Sequence, residues 1–383
     1  MSRLNVGNLF NENEDGAPVV SGISTFSSPN YFVPPSGSTA QRPSNPGEGM
    51  IRFNTDSGHL EYYTGTHWAD VITNNQELGD QNNSNSTGGT GHRGLFAGGL
   101  TPTIVDRIDF ISISTLGNAQ DFGNLVAVTR LAAGCASATR GIFAGGSSPS
   151  PTKTNKIDFV TFASTGNATD FGNMTKSANQ LSACSNSTRG MTGGGDAGPV
   201  TDIIDYITIA STGDAQDFGN LLAANEQLAA CSNSIRGLFA GGTVSPTVVN
   251  VIQYVTISTT GNALDFGDLT VARSFAGSCS NSTRGLWSGG SIPDVVSTTD
   301  FVTISTTGNA QDFGDLTIAR KLLGACSSPT RAVFGGGDSA ASPSTVNTMD
   351  AVEILSTGNA VDFGDLQATT HSCAGCSNGH GGL

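Results

Sequence analysis

Six cysteines hold one position of a recurring pattern, Cys135, Cys184, Cys231, Cys279, Cys326 and Cys376, with Cys373 as a seventh. Clustered thiolates bind zinc through paired Cys-x-x-Cys knuckles, but Cys373 and Cys376 form the only such spacing and have no second pair. Equivalent positions of successive units lie too far apart for a disulfide, so small buried core residues are the expected role. Asp-Phe-Gly begins at Asp121, Asp170, Asp217, Asp265, Asp312 and Asp362. In phosphoryl-transfer enzymes such an aspartate holds magnesium, yet there the triplet occurs once, beside a catalytic loop this chain lacks. Six copies predict architecture, with Phe in the core and Asp capping a turn.

The arginines Arg93, Arg140, Arg189, Arg236, Arg284 and Arg331 also repeat. They could ring a ligand or pair with a repeated acid (Asp109, Asp158, Asp205, Asp300); structural pairing is expected, because a guanidinium fork suits a buried carboxylate. Gln253 takes the acid's place in the fourth copy, so that pairing cannot be uniform. The histidines, His59, His67, His92, His371 and His380, follow no repeat and no metal or triad spacing. Two carboxylates from distant copies could meet as a glycosidase pair, but no residue points to one. Asn186 and Asn281 lie in Asn-x-Ser/Thr triplets and are expected to be turn residues. No catalytic, cofactor-binding or metal-binding residue is nominated, and a non-enzymatic protein is expected.

The elements that carry these residues recur at intervals of 47 to 50, the distances from Arg93 to Arg140 and from Asp312 to Asp362. Each copy reads Arg-Gly-Leu-Phe-Ala-Gly-Gly, a variable link, a β-branched run, Gly-Asn, Asp-Phe-Gly and an apolar stretch ending near Cys-Ser-Asn. In the fourth copy these are 236–242, 248–259, 261–262, 265–272 and 279–281. Runs such as 108–114, 157–162 and 203–209 are rich in Ile, Val, Thr and aromatics, so about four short strands per copy are predicted. Composition agrees: 51 glycines and only 13% charged residues favour tight turns over salt-bridged helices. Seventeen basic against 31 acidic residues, a net charge of −14, argues against nucleic acid. No apolar run is long enough to span a membrane, and the start lacks a secretion-signal pattern.

A four-stranded unit of this length with a double glycine closing an apolar strand resembles the blade of a kelch propeller. The resemblance extends to an aromatic in the next strand (Phe110, Phe159, Tyr206, Tyr254, Phe301) and to the Phe of Asp-Phe-Gly, which stands where kelch repeats place Trp. It implies an all-β, six-bladed propeller over 92–383, closed by the C-terminal strand around Cys376, which would complete the first blade. Ala351 replaces the first aromatic in the sixth copy, where looser packing is expected.

The first ninety residues do not repeat. An extended arm is predicted over 1–46, a small hairpin module of two strands over 47–73 and an Asn/Ser/Gly linker over 74–91. The hairpin's Gly-Met-Ile-Arg-Phe-Asn-Thr-Asp (49–56) and Leu-Glu-Tyr-Tyr (60–63) resemble a segment of virion proteins of tailed bacteriophages. The Thr-Gly-Asn-Ala-x-Asp-Phe-Gly arrays are similar to those of fibre-like proteins of cyanobacterial phages. These resemblances imply a virion structural protein, assembled in the host cytoplasm, whose leader docks onto other virion proteins. The propeller would be displayed as a tail fibre or fibre-like appendage, with its variable links on one face meeting a host-surface glycan or protein. They imply no cofactor, nucleic acid or membrane insertion and allow a homo-oligomer. A head decoration, a baseplate component and a carbohydrate depolymerase are the alternatives.

Overall fold

A computed structural model describes residues 34–56, 59–70, 92–149, 152–340 and 344–383, and no α-helix occurs among them. The chain divides into two units, Met1–Gln76 and Glu77–Leu383.

In the larger unit each copy forms one four-stranded antiparallel sheet, so the protein is all-β and built of small sheets. Sheet 2 shows the plan: a cysteine strand (Ala133–Ala136), an arginine strand (Arg140–Ala144), a third strand (Lys156–Thr161) and an Asp-Phe-Gly strand (Thr169–Asn173). Sheets 3 to 6 repeat it, with arginine strands Arg189–Gly193, Arg236–Ala240, Arg284–Ser288 and Arg331–Gly335. In sheet 1 the cysteine strand is the C-terminal Ala374–Ser377, paired antiparallel with Arg93–Ala97 so that Cys376 faces Leu95.

Every sheet carries the same β-bulge. Ile108 pairs with Gly123 and Asp109 with Asp121, leaving Phe122 as the unopposed residue, and the other five copies shift register at the same place. A bulge re-aims a side chain. Here it turns the Phe into the core, edge-on to the third-strand aromatic at 5.8–5.9 Å in sheets 1 to 5. The glycine that follows has positive φ, 144° at Gly123. It lies against the Gly166 carbonyl of the next copy, where a Cβ would collide. The next copy's turn also donates its Gly166 and Ala168 N–H groups to the Phe122 and Asn124 carbonyls. The edge formed by the Asp-Phe-Gly strand is thereby partly paired with the adjoining copy. The aspartates capped no turn: Asp121 and its five equivalents are exposed strand residues, because the bulge puts the triplet inside a strand.

The smaller unit has three antiparallel strands, Ile51–Asn54, His59–Tyr63 and Trp68–Asp70, where two were expected. Ser36–Gly37, within the span assigned to the extended arm, adds in parallel to Phe53–Asn54 as a fourth strand of this sheet. Arg42 reaches the buried Glu61 at 2.5 Å and Arg52 reaches it at 3.6 Å. Glu61 is held below the usual carboxylate range, chiefly by the Arg42 hydrogen bond. Strand alternation therefore buries Arg52, Asn54 and Glu61 and leaves Ile51, Phe53 and Tyr62 exposed. Residues 1–33 of the arm and the linker residues 74–91 lie outside the described residues.

Candidate functional site

The repeated arginines do not pair with the aspartates named for them. In sheets 1 to 5 the guanidinium lies over the third-strand aromatic of its own sheet, 4.6–5.2 Å from the ring centre. Each donates from NH1 to a carbonyl of the next copy, as Arg140 does to Ile209 at 2.9 Å and Arg331 to Ile113 at 3.1 Å. In sheet 6, where Ala351 offers no ring, Arg331 binds Glu353 at 2.9 Å instead. Ala351 itself is buried. These arginines tie neighbouring sheets together through one stacked face and one donor.

The repeated acids have another use. Asp109, Asp158, Asp205, Asp300 and Asp350, and Gln253 in sheet 4, each accept a backbone N–H from the preceding copy. The donors are Gln367, Val126, Thr175, Thr270, Thr317 and Leu222, at 2.7–3.2 Å. Three acids also meet an arginine: Arg107 reaches Asp109 at 2.7 Å, and Arg273 and Arg320 reach Asp300 and Asp350 at 3.1 Å. Lys176, pushed down to about 8 by burial, lies near Asp205 and donates to the Ile203 carbonyl. Asp158 has only Lys156 at longer range, and burial raises its carboxyl above the usual range. Neither Arg273 nor Arg320 was singled out from the sequence. Their shared place, eight residues after the Asp of Asp-Phe-Gly, was the available signal.

All seven cysteines are buried free thiols. Five of the sulfurs, those of Cys135, Cys184, Cys231, Cys326 and Cys376, pack between sheets against the glycine after a repeated arginine, as Cys135 does against Gly190 and Cys376 against Gly141, while Cys373 lies against Gly324. Burial pushes the Cys135 thiol up to about 12 and Cys373 to about 11, so at neutral pH they are protonated and poor ligands. Among the described residues no three His, Cys, Asp or Glu side chains converge as a metal site. Asn186 and Asn281 each accept backbone N–H groups of their own turn.

Two features around the cysteine strands have no sequence signature. Leu131, Gln180, Gln227, Phe275, Leu322 and Ser372, one before each cysteine strand, hold left-handed φ of 56–61° without being glycine. Such residues cost about 1 kcal/mol or more each and persist where their surroundings fix them. Here each N–H donates to the carbonyl of the one before it, and the run returns on itself: Leu131 to Ser372 at 2.9 Å, and Ser372 to Leu322 at 2.7 Å. The second feature is a cavity of about 50 Å³ lined by residues of all six cysteine strands and by His380. It has room for a few waters, and its lining contains no carboxylate.

No protein-family profile matches the chain, and no curated protein is similar to it in sequence. The arrangement offers hydrogen-bonded rigidity and, along the links, short hairpins such as Thr243–Val244 with Thr247–Val248.

Proposed function

We propose that the six sheets are the blades of one closed, kelch-like propeller in a non-enzymatic phage virion protein. In this reading it is a tail fibre or fibre-like appendage, with the smaller unit docking to the particle. The observation that carries the ring is that the ties through the repeated arginines, acids and Asp-Phe-Gly strands run from sheet 6 to sheet 1 as they do between the other sheets. Arg331 donates to Ile113, Asp109 accepts from Gln367, Asp365 donates its N–H to Asn118, and Ala374–Ser377 pairs with Arg93–Ala97. Class averages from electron microscopy should display six lobes around a centre; a rod would overturn closure.

Docking is supported by the inverted hairpin, which buries its charges and turns Met50, Ile51, Phe53 and Tyr62 outward. Exposed apolar patches of this kind mark protein contacts. Display is supported by the variable links, which sit on a framework pinned at every sheet boundary, as recognition loops require. A chain lacking its first ninety residues should keep its far-UV spectrum and fail to enter particles. Incorporation of that chain at wild-type level would sink the docking role, and gold label on heads instead of tails would reassign it to capsid decoration.

A further inference from the structure

The cavity is bounded by a series of hydroxyl bonds with one gap. Ser185 Oγ donates to the Ala136 carbonyl, Ser232 to Ser185, Ser280 to Ser232, Ser327 to Ser280 and Ser377 to Ser327, all at 2.6–2.8 Å. The sixth position is Ala136, which has no hydroxyl to pass on. The His380 ring stands at the carbonyl side of that residue, with Nε2 at 2.8 Å from the Ala136 carbonyl and 3.3 Å from Ser185 Oγ.

The residues that follow are seated as closely. Gly382 N–H donates to His380 Nδ1 at 3.0 Å and Gly381 N–H to the Ser280 carbonyl at 2.9 Å. A Cβ on Gly381 would meet the Ser232 carbonyl at 2.6 Å and one on Gly382 would overlap the Ser185 carbonyl, so only two glycines pass here. Three residues thus bridge the cysteine strands of sheets 2 to 5. The bonds also set the tautomer: Nδ1 accepts, so Nε2 carries the hydrogen and donates to Ala136.

We propose that His380–Gly382 is an acid-released plug over this cavity. A second proton on Nδ1 would destroy the acceptor that holds Gly382 and point an N–H at an N–H. It would also place a positive charge among Gly, Ala, Ser and neutral Cys residues, because the lining holds no Asp, Glu, Lys or Arg from any of the six strands. Burial already holds His380 below its ordinary value. The released imidazole would regain about 6.5. The proton therefore binds the released form more tightly, seating is fully favoured above about pH 6.5, and it weakens as pH falls below that.

Hydrogen exchange on the full chain, read by mass spectrometry at pH 7.5 and 5.0 and corrected for intrinsic rates, tests this. Protection of the peptide spanning 379–383 should drop about tenfold for each unit by which the seated pKa lies below the released one, down to the working pH. Peptides of the arginine strands should hold theirs. H380Q, uncharged at both pH values, should lose this pH dependence, and G382A should be open at both. Equal protection of the wild type at the two pH values would overturn the plug. So would an equal loss in H380Q, or a loss shared by the arginine strands.

Discussion

Sheets 4 and 5 meet one requirement with different chemistry. In sheet 5, Asp300 accepts the Thr270 N–H and is met by Arg273, both side chains being almost wholly buried. In sheet 4, Gln253 accepts the Leu222 N–H at 2.7 Å, and the residue in Arg273's place is the neutral Asn225, which donates to the Gly241 carbonyl. The position requires an acceptor oxygen for the neighbour's backbone. A charge there is optional, and where it is buried deepest its cation comes with it. Removing one partner of such a pair is costly, whereas replacing both can be nearly neutral.

The largest predicted effect breaks that comparison directly. Arg273→Ala leaves Asp300 buried and unpaired and should cost about 3–5 kcal/mol in denaturant unfolding. The double change R273N with D300Q, which copies sheet 4 into sheet 5, should recover most of the loss; no recovery would show that the cation has a further role. A middle effect is expected at Gly267→Ala, where φ is +146° and the Gly308 carbonyl stands 2.5 Å from a new Cβ. Its melting temperature should fall in line with about 1–3 kcal/mol. Gly261→Ala, with open space around it, should stay within about 0.5 kcal/mol.

A small effect sharpens the comparison at sheet 2, whose Asp158 has the Val126 N–H but no bonded cation. Its raised carboxyl is a charge penalised by folding, so stability should decline as pH rises from the unfolded value, about 3.9, through the folded one. Asp158→Asn keeps the acceptor and should remove that slope, with a gain below about 1 kcal/mol above pH 6. An unchanged pH profile on paired melting curves would exclude Asp158 as its source.

Much of this framework was legible beforehand, for local reasons. The interval from Arg93 to Arg140, the β-branched runs and the Gly-Asn turns are encoded by neighbours in the chain, so six copies and their strands can be read from residue types alone. The partners of the arginines could not be. Arg140 bonds the backbone carbonyl of Ile209, and a carbonyl leaves no mark in the residue type that bears it. The same holds for Asp158 and the Val126 N–H. The supposed salt bridges were chemically sensible pairs of side chains, but both members had been claimed by backbone groups of the adjoining copy.

The sequence by itself determined the repeat, the strand content and the burial of the cysteines. Tertiary structure decided where the copies touch. It made Phe122 a bulge, required a left-handed backbone at residues as unlike as Leu131, Gln180 and Phe275, and set His380 beside the one cysteine strand that lacks a serine. Each of these depends on backbone atoms brought together from different copies, which side-chain identity does not encode.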